Sequence, residues 1–195
     1  MIPRHFVISA AVMLLAVIAM SLYAWRTRGG VASVESTAYT RPVTAPVEGP
    51  TEQVTLYVAH DDIGALRAQT ARIPLPSGRQ ERAEQLLRAL LRLYLNSSSP
   101  HALPAAADLH DVYLVDPGLA VIDVNSAFAD GHRSGILVEE LTIASLARTL
   151  SANVAGINRI KILVNGKIRD TLAGHADLSG FYDVSTVDQL AAELQ

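Results

Sequence analysis

The stretch FVISAAVMLLAVIAMSLYAW, Phe6 to Trp25, runs twenty residues without a charge and with only Ser9 and Ser21 as small polar side chains. As a helix rising 1.5 Å per residue it reaches about 30 Å, the thickness of the hydrocarbon layer of a bilayer. Tyr23 and Trp25 fall at the end of the span, where amphipathic rings prefer the headgroup region, and Arg26 and Arg28 stop it. The pattern predicts an N-terminal transmembrane signal anchor over residues 1–28 that meets the membrane through residues 6–25. Ala19-Met20-Ser21 offers the small residues of a cleavage site, but the length of the apolar run and its aromatic end argue for an uncleaved span. Arg4 and the amino terminus on one side nearly balance Arg26 and Arg28 on the other, so charge alone leaves the orientation open.

Residues 29–52 turn to Gly, Ser, Thr, Ala and spaced prolines (Pro42, Pro46, Pro50), with no apolar periodicity that could build a packed face. They predict a linker that holds the next domain clear of the lipid. Beyond it the chain is apolar enough for a real core, at 50% hydrophobic residues overall. Sixteen basic and nineteen acidic residues are scattered to a net charge of -3, which leaves no electrostatic footprint for nucleic acid. Zero cysteines exclude disulfides, cysteine-ligated zinc, thiol catalysis and a lipidated N-terminal cysteine.

VTLYVAH, Val54 to His60, has strand propensity. After the Pro-containing segment Ile73 to Pro76, Ser77 with Gln80 three residues on forms a capping box. Ala83, Leu86, Leu87, Leu90, Leu91 and Tyr94 then recur at helical spacing. Leu109–Val115 and Leu119–Val124 are β-rich runs joined by Asp116-Pro117-Gly118, a hairpin. A second helix spans Leu137 to about Val154, with Gly156 as its C-terminal cap. Arg159–Lys167 is a strand ended by Asn165-Gly166, a turn signal. The order β-α-β-β-α-β predicts an α+β fold, a small mixed β-sheet with two helices on one face. Residues 185–195 predict a short capped C-terminal helix, with Ser185 first and Asp188 three residues later.

Residue types that serve chemistry are dispersed. The six histidines (His5, His60, His101, His110, His132, His175) form no helical i,i+4 pair for a metal. His60-Asp61-Asp62 could make a weak metal contact, but a strand end explains it equally well. Asp123-x-Asn125 begins like a calcium loop and then departs from it at Phe128 and Ser134; Asp123 and Ser126 suit strand closure and turn capping. Gly131 to Gly135 misses the nucleophile-elbow spacing. Glu139 and Glu140 sit in a first helical turn, where the helix dipole favours acids without any catalytic role. Val164-Asn165-Gly166-Lys167 is no phosphate loop. His175, Asp177 and Ser179 in TLAGHADLSG invite a hydrolytic reading, yet no partner for them is legible elsewhere. No catalytic, cofactor-binding or metal residue is therefore assigned, and no enzyme is expected.

Across Val54 to Val184 the chain resembles the GerMN family, the sporulation and spore-germination module. VTLYV, VYLVDPGLAVIDVNSAF, VEELTIASLARTL and INRIKILVNGK followed by TLAGHADLSG carry the likeness. Glu139, Glu140, Thr149 and Leu150 match the second helix of that family, while Arg148 stands where its members usually have asparagine. The resemblance implies a single GerMN-like domain at 53–184, similar to the ring-building motifs of secretion and sporulation channels. It also implies a periplasmic or extracytoplasmic location in the cell envelope, no established enzymatic chemistry, and a structural place for TLAGHADLSG as a closing clasp. The expected function is a membrane-anchored interaction or scaffolding module with an envelope protein partner or weak self-association. The alternative is a binding module for cell-wall glycan (peptidoglycan) or a small ligand near Tyr57, Tyr113 or the Gly131 loop.

Overall fold

The computed structural model describes residues 49–115 and 117–186, together with Met13, Leu14, Val17 and Met20. The expected anchor apart from those four residues, the linker up to residue 48, Asp116 of the hairpin turn and the C-terminal helix beyond Thr186 lie outside the described residues. The four N-terminal residues are helical and exposed. They belong to a unit, Met1–Ala45, separate from the compact unit Pro46–Gln195. Among the described residues, no helix is long and apolar enough to cross a membrane.

The second unit opens with an antiparallel hairpin of β1 (Thr51–His60) and β2 (Ala65–Pro74), in register from Thr51 opposite Pro74 to His60 opposite Ala65. Val54, Leu56 and Val58 alternate inward along β1, as a half-buried strand requires. On β2 only Ala65 and Leu66 are buried, so it is an edge strand without the alternation that would announce it.

Helix α1 (Arg79–Tyr94) buries the expected Ala83, Leu86, Leu87, Leu90, Leu91 and Tyr94. Gly78, and not Ser77, is its N-cap, and no side chain caps it. Strands β3 (Leu109–Val115) and β4 (Leu119–Val124) form the expected hairpin, with a bulge between Leu109 and Asp111. The chain then passes through the short helix α2 (Ser126–Asp130) and α3 (Ile136–Asn153) before β5 (Arg159–Val164) returns parallel to β4. Adjacent parallel strands need a long crossover, usually helical, and here α2 and α3 supply it. Asn125 caps α2, its Oδ1 accepting the Phe128 N–H at 2.9 Å, so the capping expected of Ser126 falls one residue earlier. Helix α3 ends at Asn153 with Val154 as C-cap, two residues short of Gly156. At the end of β5, Asn165 and Gly166 take positive φ of 51° and 70°, the geometry of the tight turn that an Asn-Gly pair favours. β6 (Tyr182–Asp183) closes the sheet beside β5.

The α+β class stands, but the single mixed sheet does not. The order is β-β-α-β-β-α-α-β-β, and the strands divide into a two-stranded sheet, β1-β2, and a four-stranded mixed sheet, β3-β4-β5-β6. Helix α3 lies against β1 and β2, while α1 touches both β1 and β3 and so couples the two sheets. One hydrophobic cluster runs through all of these elements.

Candidate functional site

The unusual feature of the fold is a buried polar stripe on α3. Glu139, Thr142, Ser145 and Thr149 are all at most 1% exposed, and with Asn153 they recur at three- and four-residue spacing on one helical face. Buried polar groups are tolerable only when bonded, and here each is bonded to a segment distant in sequence.

At the C-terminal end, the stripe meets the inner edge of β1. The Tyr57 N–H donates to Thr149 Oγ1 at 3.0 Å, and Ser145 Oγ donates to Tyr57 O at 2.6 Å. The Thr55 N–H donates to Asn153 Oδ1 at 3.1 Å, and Asn153 Nδ2 returns a bond to Thr55 O at 2.7 Å. The Ala59 N–H donates to the Tyr94 hydroxyl at 2.8 Å, which is itself bonded to Ser145. Alternate residues of a strand present both backbone groups to one edge, and α3 satisfies that edge as a neighbouring strand would. This is why β1 stands outside the four-stranded sheet. Arg148 lies with its guanidinium 4.6 Å from the Tyr57 ring centroid, covering the same edge. Burial pushes the Tyr94 phenol up to about 12, so it stays a neutral hydrogen-bonding group.

In the middle, Thr142 Oγ1 lies 2.8 Å from His101 Nε2 and 2.7 Å from His132 Nε2, and its hydroxyl is 3.0 Å from Val138 O. His101 Nδ1 meets Asp61 Oδ1 at 2.6 Å, and Asp61 Oδ2 lies 3.3 Å from Arg133 Nη1. His132 Nδ1 donates to Arg133 O at 2.8 Å. Burial pulls both imidazoles below their usual value, with the Asp61 carboxylate opposing it at His101. Asp61, His101 and Thr142 have the connectivity of an acid-base-nucleophile triad. However, Thr142 is 1% exposed and its oxygen is already enclosed by two imidazoles and a carbonyl, so no substrate atom can approach it.

At the N-terminal end, the fully buried Glu139 carboxylate gathers backbone donors. Its Oε2 accepts the N–H groups of Ala173, His175 and Ala176 at 3.0, 3.0 and 2.9 Å, and its Oε1 accepts Gly135 N–H at 3.1 Å and meets His175 Nδ1 at 2.9 Å. Burial alone would raise its pKa, but these donors outweigh it and bring it to about 2. Gly174, at φ 117°, allows the bend that turns three nearby N–H groups inward.

Residues 55–170, more than half of the chain, match the family described as Germane, Sporulation and spore germination. The chain belongs to this family. No curated protein matches it. Among solved structures, it is similar to the tandem GerMN domains of the sporulation protein GerM from Bacillus subtilis, at 21% identity and TM-score 0.48 over 66% of this chain and 44% of that one. It is also similar to the first GerMN domain of the same protein, at 24% identity and TM-score 0.47 over 66% of this chain and 93% of that one.

In this Germane domain the residues singled out from sequence are brought together in part: Ser134, Gly135, Glu139 and His175 meet, and the others do not join them. His60 Nδ1 is 3.9 Å from Asp62 Oδ1, while Asp61 turns inward to His101, so His60-Asp61-Asp62 does not converge. Asp123 accepts the Gly166 N–H at 2.8 Å and pins the turn after β5. His175 faces Glu139, whereas Asp177 accepts the Ser179 N–H at 2.7 Å within its own loop. The loop is a clasp, as the resemblance implied, but with a correction: its principal anchor is Glu139, reached through the loop's backbone N–H groups. Of the alternative places for a ligand groove, Tyr57 belongs to the two-stranded sheet and Tyr113 to the four-stranded one. The stripe of the Germane domain also uses Thr142, Ser145 and Asn153, which did not stand out in the sequence, and takes as partners His101 and His132, which the sequence showed only as dispersed histidines; the spacing Thr142, Ser145, Thr149, Asn153 was the available signal. Lys161 is buried likewise, its Nζ donating to the carbonyls of Leu178, Ser179 and Gly180 at 2.6, 2.6 and 2.9 Å.

Proposed function

We propose that this chain is a non-catalytic interaction or scaffolding module of the bacterial cell envelope, anchored in the membrane through residues 6–25 and carried by the linker 29–52 into the extracytoplasmic (periplasmic) space. One observation carries the reading. The side chains that resemble catalytic machinery, Asp61, His101, Thr142, Glu139 and His175, bind one another and the backbone of distant segments. Side chains committed to these internal bonds support a reading in which the domain acts as a rigid body. A rigid domain on a tether acts through its surface, by contact with an envelope protein or with further copies of itself. Concentration at a membrane makes even weak contacts effective.

Sedimentation velocity of the full chain in detergent tests the self-association arm. The expected result is a sedimentation coefficient that rises with protein concentration. A strictly monomeric chain at high concentration, together with retention on purified sacculi, would replace this reading with glycan binding.

A further inference from the structure

We propose that the outer edge of β2 docks an extended acidic segment of another envelope protein, added to the two-stranded sheet as a third strand. This rests on the interaction module described above and names the chemistry of its partner.

The free edge follows from the way the backbone of β1 is bonded. The N–H groups of Thr55, Tyr57 and Ala59 and the carbonyls of Thr55 and Tyr57 turn to α3 and to the Tyr94 hydroxyl. Backbone groups of successive strand residues point to opposite sides, so Val54, Leu56 and Val58 bond β2 through their register partners Ala71, Gln69 and Arg67. The alternate residues of β2, Ala68, Thr70 and Arg72, therefore turn their N–H and C=O groups outward. All three are exposed, and among the described residues no partner bonds these groups. Strand edges are usually blunted by bulges, prolines or charge. Here β1 and β2 stay in register without a bulge and proline enters only at Pro74, so charge is the remaining device.

That charge selects the occupant. Arg67 and Arg72 flank the free stretch, and both are exposed. Among the described residues neither meets a carboxylate; Glu52, the acid of β1, lies opposite Ile73 and accepts from Arg82 at 2.9 Å. Side chains alternate along a strand, so Arg67 stands on the face of its partner Val58 and Arg72 on the opposite face, with Gln53. An incoming strand thus meets one guanidinium on each face. A second copy of β2 would bring its own two arginines into the same ladder, which like-charge repulsion opposes. A strand carrying a carboxylate on each face, with the spacing of Arg67 and Arg72, matches both cations. In strand addition the main-chain bonds supply affinity and the side chains specificity, and this edge offers both.

Amide exchange in the full chain in detergent, read residue by residue by NMR, tests the edge with the synthetic peptide TEVTVTET as probe. Without peptide, the N–H groups of Ala68, Thr70 and Arg72 should exchange faster than those of Arg67, Gln69 and Ala71, which are bonded to β1. Near saturation the peptide should slow the first three by about tenfold. The chain carrying R67E and R72E together should bind TEVTVTET about tenfold more weakly, the order of two exposed ion pairs lost, and should bind TKVTVTKT instead. Both arginines are exposed, so the swap leaves the core intact. No slowing at the alternate amides, or equal slowing of the parent chain by TEVTVTET and TKVTVTKT, would overturn the proposal. Slowing that follows protein concentration without peptide would give the edge to a second copy and overturn it likewise. A chain that self-associates or captures an envelope protein while these amides stay fast would keep the interaction reading and lose this edge.

Discussion

Glu139 holds His175 twice: its Oε2 accepts the His175 backbone N–H at 3.0 Å, and its Oε1 meets the His175 imidazole Nδ1 at 2.9 Å. A carboxylate on the first turn of α3 thus fixes a loop that lies 36 residues further along the chain.

This clasp should make the domain acid-sensitive in a defined window. The folded pKa of Glu139, about 2, lies below its ordinary value of 4.5. Its contribution to stability is therefore complete above about pH 4.5 and is lost as pH falls towards 2. That gap is worth on the order of 3 kcal/mol. E139Q should lower stability by a comparable amount at neutral pH and flatten the dependence between these limits, as read by denaturant unfolding at a series of pH values. A variant with the parental pH profile would remove the clasp from the account.

The imidazoles around Thr142 act at higher pH. Burial holds His101 and His132 below the usual value of 6.5, so the fold favours their neutral forms. The stability this provides is full above about pH 6.5 and declines as pH falls through the lower, folded values. The groups facing the pair are Asp61, Arg133, Tyr94 and Glu139. Imidazole NMR titration of the full chain should place both midpoints below 6.5, and a midpoint above it for either residue would contradict the packing described.

T149V keeps the shape of the side chain and deletes the acceptor for the Tyr57 N–H. Leaving a largely enclosed backbone donor unbonded costs about 1–3 kcal/mol. Unfolding of T149V should show a loss in this range, and amide exchange at Tyr57 should accelerate more than exchange in β4 or β5. Equal acceleration everywhere would mean that α3 does not specifically cap β1.

The membrane reading has its own test. The full chain should remain in the membrane pellet after an alkaline carbonate wash, and deletion of residues 6–25 should release it. A chain that washes off as a peripheral protein would remove the anchor.

The parts of this fold visible in the sequence were those with a local period. β3 and β4 alternate around a Pro-Gly turn, α1 and α3 repeat their apolar residues at helical spacing, and Asn165-Gly166 marks its own turn. β2 gave no such signal, because ALRAQTARIP buries only its first two residues and follows the register of β1. The stripe was hidden for another reason. Thr142, Ser145, Thr149 and Asn153 are residue types that usually face water, and their partners lie as far as 98 residues away. His101, in a Ser- and Pro-containing loop, acquires its role only when the chain brings Asp61 and Thr142 to its two ring nitrogens.

A domain that acts through contacts at a membrane surface should bring full chains together in liposomes, which energy transfer between donor- and acceptor-labelled chains reports at increasing surface density. Transfer is expected above the level of random collisions, rising with density and abolished by excess unlabelled chain. Transfer equal to the collisional level at every density, with no envelope protein captured by cross-linking in cells, would contradict that mode of action.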